Sequence, residues 1–140
     1  MLAVFDHHQP HVAAGSVILW APSHGKILAF YIDNGADVGV DSAPTMELLA
    51  LYAALMLRAY LRQPIPIHTD SKTSLDKLLA PIKALDARTA GYSYALMCHI
   101  LISKQGGPLL KVQAHPERRA KPSEWDLLMW GNHMAEAIAS

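Results

Sequence analysis

The stretch Ile67-His68-Thr69-Asp70-Ser71 decides the fold, because it is a short apolar strand that ends at a carboxylate. The predicted strand covers Ile65 to Thr69, and Pro66 favours its beginning or an edge position. Helices are predicted on both sides, one from near Ser42 to Gln63 and one from Ser71 to Ala80. A strand that lies between two helices is typical of parallel pairing in an α/β fold.

Three strands are predicted before the first helix. Leu2 to Phe5 is a short apolar run, and two longer strand-like runs follow, Val12 to Ala21 and Lys26 to Ile32. The short gap between the last two is Pro22-Ser23-His24-Gly25, which indicates a hairpin turn. We therefore expect these three strands to be antiparallel.

The rest of the chain predicts two more helices and one more strand. A helix from Ala87 to Lys104 is closed by Gly106-Gly107, and a fifth strand covers Leu109 to Ala114. A basic, proline-containing loop from His115 to Leu128 precedes a final helix from Asn132 to Ala139. Together these elements predict an α/β fold with a five-stranded mixed sheet and helices on both faces.

Composition limits the class of protein. The chain has 140 residues, of which 51% are hydrophobic and 17% charged, which fits a single domain over residues 1–140 and excludes disorder. The single cysteine, Cys98, excludes an internal disulfide framework and a cysteine-built zinc site. Twelve basic and twelve acidic residues give zero net charge, which argues against an obviously basic nucleic-acid-binding protein.

Targeting and membrane segments are not predicted. Met1 to Pro10 includes an aspartate and two histidines and so lacks a signal-peptide core. The longest apolar run, Leu48 to Leu57, is about half as long as a membrane span. We expect an intracellular protein, in the cytoplasm or nucleus, or a domain of a larger intracellular chain, with no membrane partner.

Four carboxylates occupy informative positions in this order of elements. Asp6 ends the first strand, Glu47 lies in the opening turns of the buried helix, Asp70 ends the fourth strand and Glu136 lies in the last helix. The site of an open α/β sheet lies at the carboxyl ends of its parallel strands. Clustered carboxylates repel each other unless a cation neutralises them, and oxygen ligands favour magnesium or manganese.

Three segments resemble a ribonuclease H domain of the type attached to retroelement reverse transcriptases. They are Ile67-His68-Thr69-Asp70-Ser71, the segment Met46-Glu47-Leu48 and the ending Gly131-Asn132-His133-Met134-Ala135-Glu136. The resemblance covers essentially the whole chain in the same order, and it implies the ribonuclease H-like fold. It also implies two partners, an RNA–DNA hybrid and the remainder of a reverse transcriptase polyprotein.

The activity that this resemblance implies is hydrolysis of the RNA strand of an RNA–DNA hybrid with two Mg²⁺ ions, for which Mn²⁺ substitutes. By analogy, Asp6 bridges both ions, Glu47 and Asp70 complete the second site, and Glu136 joins Asp6 at the first. His115 matches the histidine of the family's mobile loop, with a role in proton transfer or product release.

Nucleic-acid contacts are expected from residues beside these carboxylates. Lys72 stands where relatives often have glutamine and offers a phosphate contact, as do Arg118 and Arg119 of the basic loop. Ser71 and Asn132, which lie within two of the three matching segments, complete the predicted set.

The sequence departs from the family pattern at three places. Glu136 replaces the usual aspartate, His7 replaces a glycine, and Ala43-Pro44 replaces a polar pair that reads 2′-hydroxyls. These departures motivate an alternative, a degenerate domain that contacts nucleic acid or serves as a scaffold within a reverse transcriptase without catalysis. An integrase-like or resolvase-like nuclease remains a third hypothesis.

Overall fold

The computed structural model describes residues 2–9, 12–21, 26–33, 43–89, 91–113 and 115–139. Within these ranges the side chains of several strand residues, Asp6 among them, are not described. The predicted hairpin turn at residues 22–25 and the predicted helix start at Ser42 lie outside the described residues.

The sheet is built from five described strands, β1 Leu2–Gln9, β2 Val12–Ala21, β3 Lys26–Asp33, β4 Ile67–Thr69 and β5 Leu109–Lys111. They form one mixed sheet in the order β3-β2-β1-β4-β5. β1 pairs antiparallel with β2 and parallel with β4, while β2 pairs antiparallel with β3 and β4 pairs parallel with β5. β1 is therefore the strand at which antiparallel pairing changes to parallel pairing.

The described helices pack on two sides of this sheet. They are α1 Ala43–Leu61, α2 Lys72–Leu79, α3 Tyr92–Lys104 and α4 Leu127–Ala139. In the part of the chain that the structure describes, no helix combines the length and the apolar character that crossing a membrane requires.

Neighbouring residues of β2 show how the sheet is covered. Val17 belongs to the main core cluster with Leu51 and Leu55 of α1, while Ile18 packs with Ala135 of α4. Ser16, on the same side as Ile18, donates its hydroxyl proton to the carbonyl of Ala135. Because successive strand residues face opposite sides, α1 and α4 cover opposite faces. The predicted α/β class is confirmed.

The main core also contains the only cysteine of the chain. Cys98 of α3 is fully buried against α1, with its thiol 3.8 Å from the carbonyl oxygen of Leu48. Burial raises the pKa of the Cys98 thiol to about 12. A thiol that stays protonated at neutral pH is a packing group and not a nucleophile.

The predicted strand ends need correction, because pairing sets them more than composition does. β1 continues past Asp6 to Gln9, since residues 6–9 pair with residues 12–15 of β2. β4 begins at Ile67 and not at Ile65, because Pro66 has no N–H to donate to a ladder. β5 ends at Lys111 and not at Ala114, because its partner β4 ends at Thr69, the residue opposite Lys111.

Two predicted helix starts are also wrong. α3 begins at Tyr92 and not at Ala87, because Gly91 has a left-handed conformation with φ of 78°. α4 begins at Leu127, five residues before the predicted start at Asn132. Asp126 explains this early start, since its carboxylate accepts a hydrogen bond from the backbone N–H of Met129.

A buried histidine in β4 predicts a loss of stability in acid. Burial lowers the pKa of His68, and within the described residues its Nδ1 has no hydrogen-bond partner. Because the folded pKa is below the unfolded value of about 6.5, the unfolded chain binds more protons as the pH falls. The contribution of His68 to the unfolding free energy is therefore fully present above about pH 6.5. It is lost as the pH falls through the folded pKa, by at most about 1.4 kcal/mol per pH unit.

Urea unfolding at a series of pH values measures this effect. The variant His68→Leu should show a flatter dependence of the unfolding free energy on pH below about 6.5. An unchanged slope in the variant would show that His68 does not control the acid sensitivity.

Candidate active site

Two predicted carboxylates follow neighbouring parallel strands. In the register of β1 and β4, Val4 lies opposite Thr69. Asp6 is two residues beyond Val4 in β1, and Asp70 is the residue after Thr69. Since neighbouring strands are about 4.8 Å apart, the backbones of Asp6 and Asp70 lie at the same edge of the sheet. The structure thus brings these two positions together at the level of the backbone.

Glu47 is held beside this edge by a hydroxyl group. Its side chain is 1% exposed, and Oε1 accepts a hydrogen bond of 2.7 Å from Thr69 Oγ1. The same hydroxyl oxygen accepts a bond of 3.1 Å from the backbone N–H of Ser71. Thr69 therefore links the buried glutamate of α1 to the turn that contains Asp70.

Ser71 and Lys72 lie at the start of α2. The hydroxyl of Ser71 caps this helix by accepting a hydrogen bond of 3.2 Å from the backbone N–H of Ser74. Lys72 is exposed and pairs with Asp76 one turn later, at 2.9 Å between Nζ and Oδ2. The cap fixes the direction in which the chain leaves Asp70. An ion pair in solvent is weak, so the ammonium group of Lys72 stays accessible to a ligand.

Glu136 of α4 and His115, two further predicted site residues, lie near each other. His115 Nδ1 is 3.6 Å from Glu136 Oε1 and 3.1 Å from Glu117 Oε1. His115 has a left-handed backbone, with φ of 55°, and precedes a 3-10 turn over Pro116–Arg118. A backbone hydrogen bond, aided by the bond to His115, holds the pKa of Glu117 below its usual value.

Sequence reasoning did not find Glu117. One ligand atom each from His115, Glu117 and Glu136 lies within 4.8 Å of the other two. Among the described side chains, this is the group of three that is close enough to hold one ion. Glu47, Asp70 and Glu136 do not form such a group, and the side chain of Asp6 lies outside the described set. The spacing His115-Pro116-Glu117 was the available signal, because it places two ligands on one short turn.

Asn132 has a different environment from the one that the sequence predicts. A nucleic-acid contact requires an accessible amide, but Asn132 is 1% exposed. The physical reason is the early start of α4, which puts Asn132 inside the helix and not at its first residue. Within the described residues neither its Oδ1 nor its Nδ2 has a hydrogen-bond partner.

The basic loop is exposed and anchored to α4 by aromatic rings. Arg118 and Arg119 are exposed, and Arg119 donates a hydrogen bond to the side-chain carbonyl of Gln113. Trp125 packs edge-on against Trp130 with ring centroids 4.7 Å apart, and its indole N–H donates to the carbonyl of Ala120. This aromatic pair fixes the end of the loop against α4.

Comparison with solved structures finds the same fold in ribonuclease H proteins. Ribonuclease H1 from the halophilic archaeon Halobacterium salinarum is 18% identical, with a TM-score of 0.62, over 85% of this chain and 89% of that chain. The prototype foamy virus protease-reverse transcriptase is 14% identical, with a TM-score of 0.74, over 99% of this chain and 20% of that chain.

A third match is the N-terminal ribonuclease H domain of a Mycobacterium tuberculosis protein, solved as a fusion. It is 13% identical, with a TM-score of 0.59, over 84% of this chain and 88% of that chain. No family model matches the sequence, and comparison with the curated proteins found no significant match. The resemblance to ribonuclease H domains, including that of a reverse transcriptase, is therefore confirmed for the fold.

Proposed function

We propose that residues 1–140 form a single ribonuclease H-like domain that hydrolyses the RNA strand of RNA–DNA hybrids in a metal-dependent, two-metal-ion reaction. The observation that carries this proposal is the buried Glu47, held by Thr69 at the strand end where Asp70 follows. A core-facing carboxylate is costly to bury, so its position at this edge indicates a role that requires its charge.

The donor set fits hard divalent cations. Asp6, Glu47, Asp70 and Glu136 would hold the metal, because carboxylate oxygens suit Mg²⁺ and Mn²⁺. Two such ions, when bound, activate a water and stabilise the departing 3′ oxygen of the scissile phosphodiester. The burial of Glu47 supports this assignment, since a cation at this edge offsets the cost of an ionised carboxylate out of water.

Other residues orient these groups or move a proton. Thr69 fixes the carboxylate of Glu47 by donating to Oε1, and Ser71 fixes Thr69 through its backbone N–H. Glu117 accepts from Nδ1 of His115, which leaves Nε2 as the ring atom that exchanges a proton with water or product.

The nucleic acid is held by exposed cations at the rim. Lys72, Arg118 and Arg119 are exposed and are assigned to the phosphates of the hybrid. Ser71 caps α2, and the buried Asn132 lies one helical turn before Glu136, so these two residues are assigned to supporting the site and not to contacting phosphates. The match over one fifth of the foamy virus chain supports a place for this domain within a larger reverse transcriptase.

A non-catalytic domain is the second candidate function. It is favoured by Glu136, which lies within 3.6 Å of His115 and does not form a close group with Glu47 and Asp70. Such a domain would contact nucleic acid or serve as a scaffold within a reverse transcriptase.

Cleavage of an end-labelled RNA–DNA hybrid with Mg²⁺ or Mn²⁺ tests the proposal. We expect cuts in the RNA strand only, with duplex DNA and duplex RNA left intact. A folded protein that binds the hybrid in a gel-shift assay without cutting it under either metal would support the non-catalytic domain instead. A large gain of cleavage in Glu136→Asp, from near zero, would show that the natural glutamate impairs the site.

A further inference from the structure

One imidazole and two carboxylates converge at a point that shares one residue, Glu136, with the predicted four-carboxylate set. His115 caps the 3-10 turn at the start of the basic loop, Glu117 lies within that turn, and Glu136 lies on α4. Two elements separated in sequence therefore contribute ligand atoms to one point, with all three atoms within 4.8 Å of one another.

The distances match those between ligands of one metal ion. Bonds of about 2.0–2.1 Å from zinc to nitrogen or oxygen place tetrahedral ligand atoms about 3.3–3.4 Å apart. His115 Nδ1 is 3.1 Å from Glu117 Oε1 and 3.6 Å from Glu136 Oε1, on either side of that value. The third separation, between the carboxylates of Glu117 and Glu136, is within 4.8 Å, so a shared ion requires these side chains to close around it.

The chemistry of the ligands selects the ion. Magnesium prefers an all-oxygen octahedral shell, whereas imidazole favours zinc and its neighbours in the transition series. We propose that His115, Glu117 and Glu136 bind one Zn²⁺ ion, which links the loop turn Pro116–Arg118 to α4 and leaves a fourth position for water. In this state zinc replaces the Nδ1 proton between His115 and Glu117 and competes with Mg²⁺ for Glu136.

A neighbouring buried amide supports this proposal. Asn132 lies one helical turn before Glu136, and within the described residues both polar atoms of its side chain lack a hydrogen-bond partner. Buried polar groups are almost always satisfied, so such an amide marks a place where a water or an ion belongs. The alternative is a protonated His115 that pairs with the two carboxylates in the absence of a metal, and the experiment below separates the two.

Cobalt(II) replaces zinc as a visible probe. The titration uses the Asp70→Asn background, which weakens the all-carboxylate site and leaves the imidazole site intact. We expect one equivalent of Co²⁺ to give the intense visible bands of a tetrahedral ion with a nitrogen ligand, and Zn²⁺ to displace it. Addition of Zn²⁺ should also raise the melting temperature of the protein, because a ligand that binds only the folded state stabilises it.

Matched variants assign the signal to these residues. Glu117→Gln and His115→Asn should each weaken Co²⁺ binding at least about tenfold, whereas Glu124→Gln removes an exposed glutamate of the same loop and should leave binding unchanged. Weak octahedral bands, or a Co²⁺ spectrum that Glu117→Gln does not alter, would overturn the proposal. The spectrum does not depend on hybrid cleavage, so failure here leaves the proposed nuclease function standing, and an inactive nuclease can still show this site.

Discussion

Replacement of Glu47 by glutamine is expected to reduce cleavage of an RNA–DNA hybrid by more than about a hundredfold in saturating Mg²⁺. Loss of a group that only orients a metal ligand typically costs about 10–100-fold, and Glu47 is proposed as a ligand itself. Glutamine has nearly the same shape and can still accept the hydrogen bond from Thr69, so the change removes the charge and little else. Initial rates on a labelled hybrid measure the effect.

Thermal unfolding shows whether the loss of activity is a loss of fold. Without metal, Glu47→Gln should melt at the same temperature as the natural protein or higher, because it removes a buried negative charge from beside other carboxylates. We expect the same direction for Asp6→Asn and Asp70→Asn. With Mg²⁺, the natural protein should gain stability and the variant should gain less, because metal binding stabilises only the folded site.

Two further variants define the cause. Thr69→Val removes the hydroxyl that orients Glu47 but keeps the carboxylate, so it should reduce cleavage less than Glu47→Gln does. Glu124→Gln makes the same change of charge at an exposed position and should retain full cleavage. Cleavage by Glu47→Gln within tenfold of the natural rate would contradict the assigned role of Glu47.

The sequence was sufficient for the order of elements and for the strand-end position of Asp70. Apolar runs bounded by proline, glycine and serine predicted most strands and helices, because burial alone produces those patterns. The end of β1 was not predictable in this way, since residues beyond Asp6 are polar and stay in the strand only because β2 pairs with them. The length of β1 is therefore set by its pairing with β2 and not by the sequence of β1 alone.

The loop before α4 shows a second limit. Asp126 starts α4 by capping it, and Trp125 packs on Trp130. The proline-containing, basic composition of residues 115–128 predicted a loop to Leu128 and did not reveal this cap. The early start of the helix then determines that Asn132 is buried. The approach of Glu117 to Glu136 depends on this tertiary arrangement, because no local pattern relates residues from a turn and a helix.

Replacement of Arg58 by alanine is expected to destabilise the protein by roughly 3–5 kcal/mol. Arg58 is 2% exposed near the end of α1, and burial lowers the pKa of its guanidinium. Its Nη1 donates to the carbonyls of Ile65 and Pro108, each at 3.0 Å, and its Nε donates to the side chain of Gln105 at 2.8 Å. One side chain thus joins α1 to the segments that precede β4 and β5 and to the end of α3.

The cost follows from what the truncation leaves behind. Two backbone carbonyls and one amide oxygen lose their charged donor, and their three bonds are partly buried. A hydrogen bond to a charged group contributes about 1.5–3 kcal/mol where water does not replace it. Arg58→Lys should be intermediate, because a single ammonium keeps the charge but lacks the planar fork that reaches three acceptors. Urea unfolding without added metal measures both variants, and a loss below about 1 kcal/mol in Arg58→Ala would contradict the role assigned to these bonds.

Gly107 provides a test of the geometry around the guanidinium. A Cβ at this position would meet Arg58 Nη1 at 2.8 Å, and Gly107 has a φ of 112°, which side chains rarely adopt. Gly107→Ala alone should cost roughly 2–4 kcal/mol from strain and overlap. In the double variant Arg58→Ala/Gly107→Ala the overlap with Arg58 is absent, while the strain of the φ and the close approach to the Pro64 backbone at 3.0 Å remain. The combined loss should therefore be smaller than the sum of the two single losses. Strict additivity would show that the two positions do not contact each other in solution.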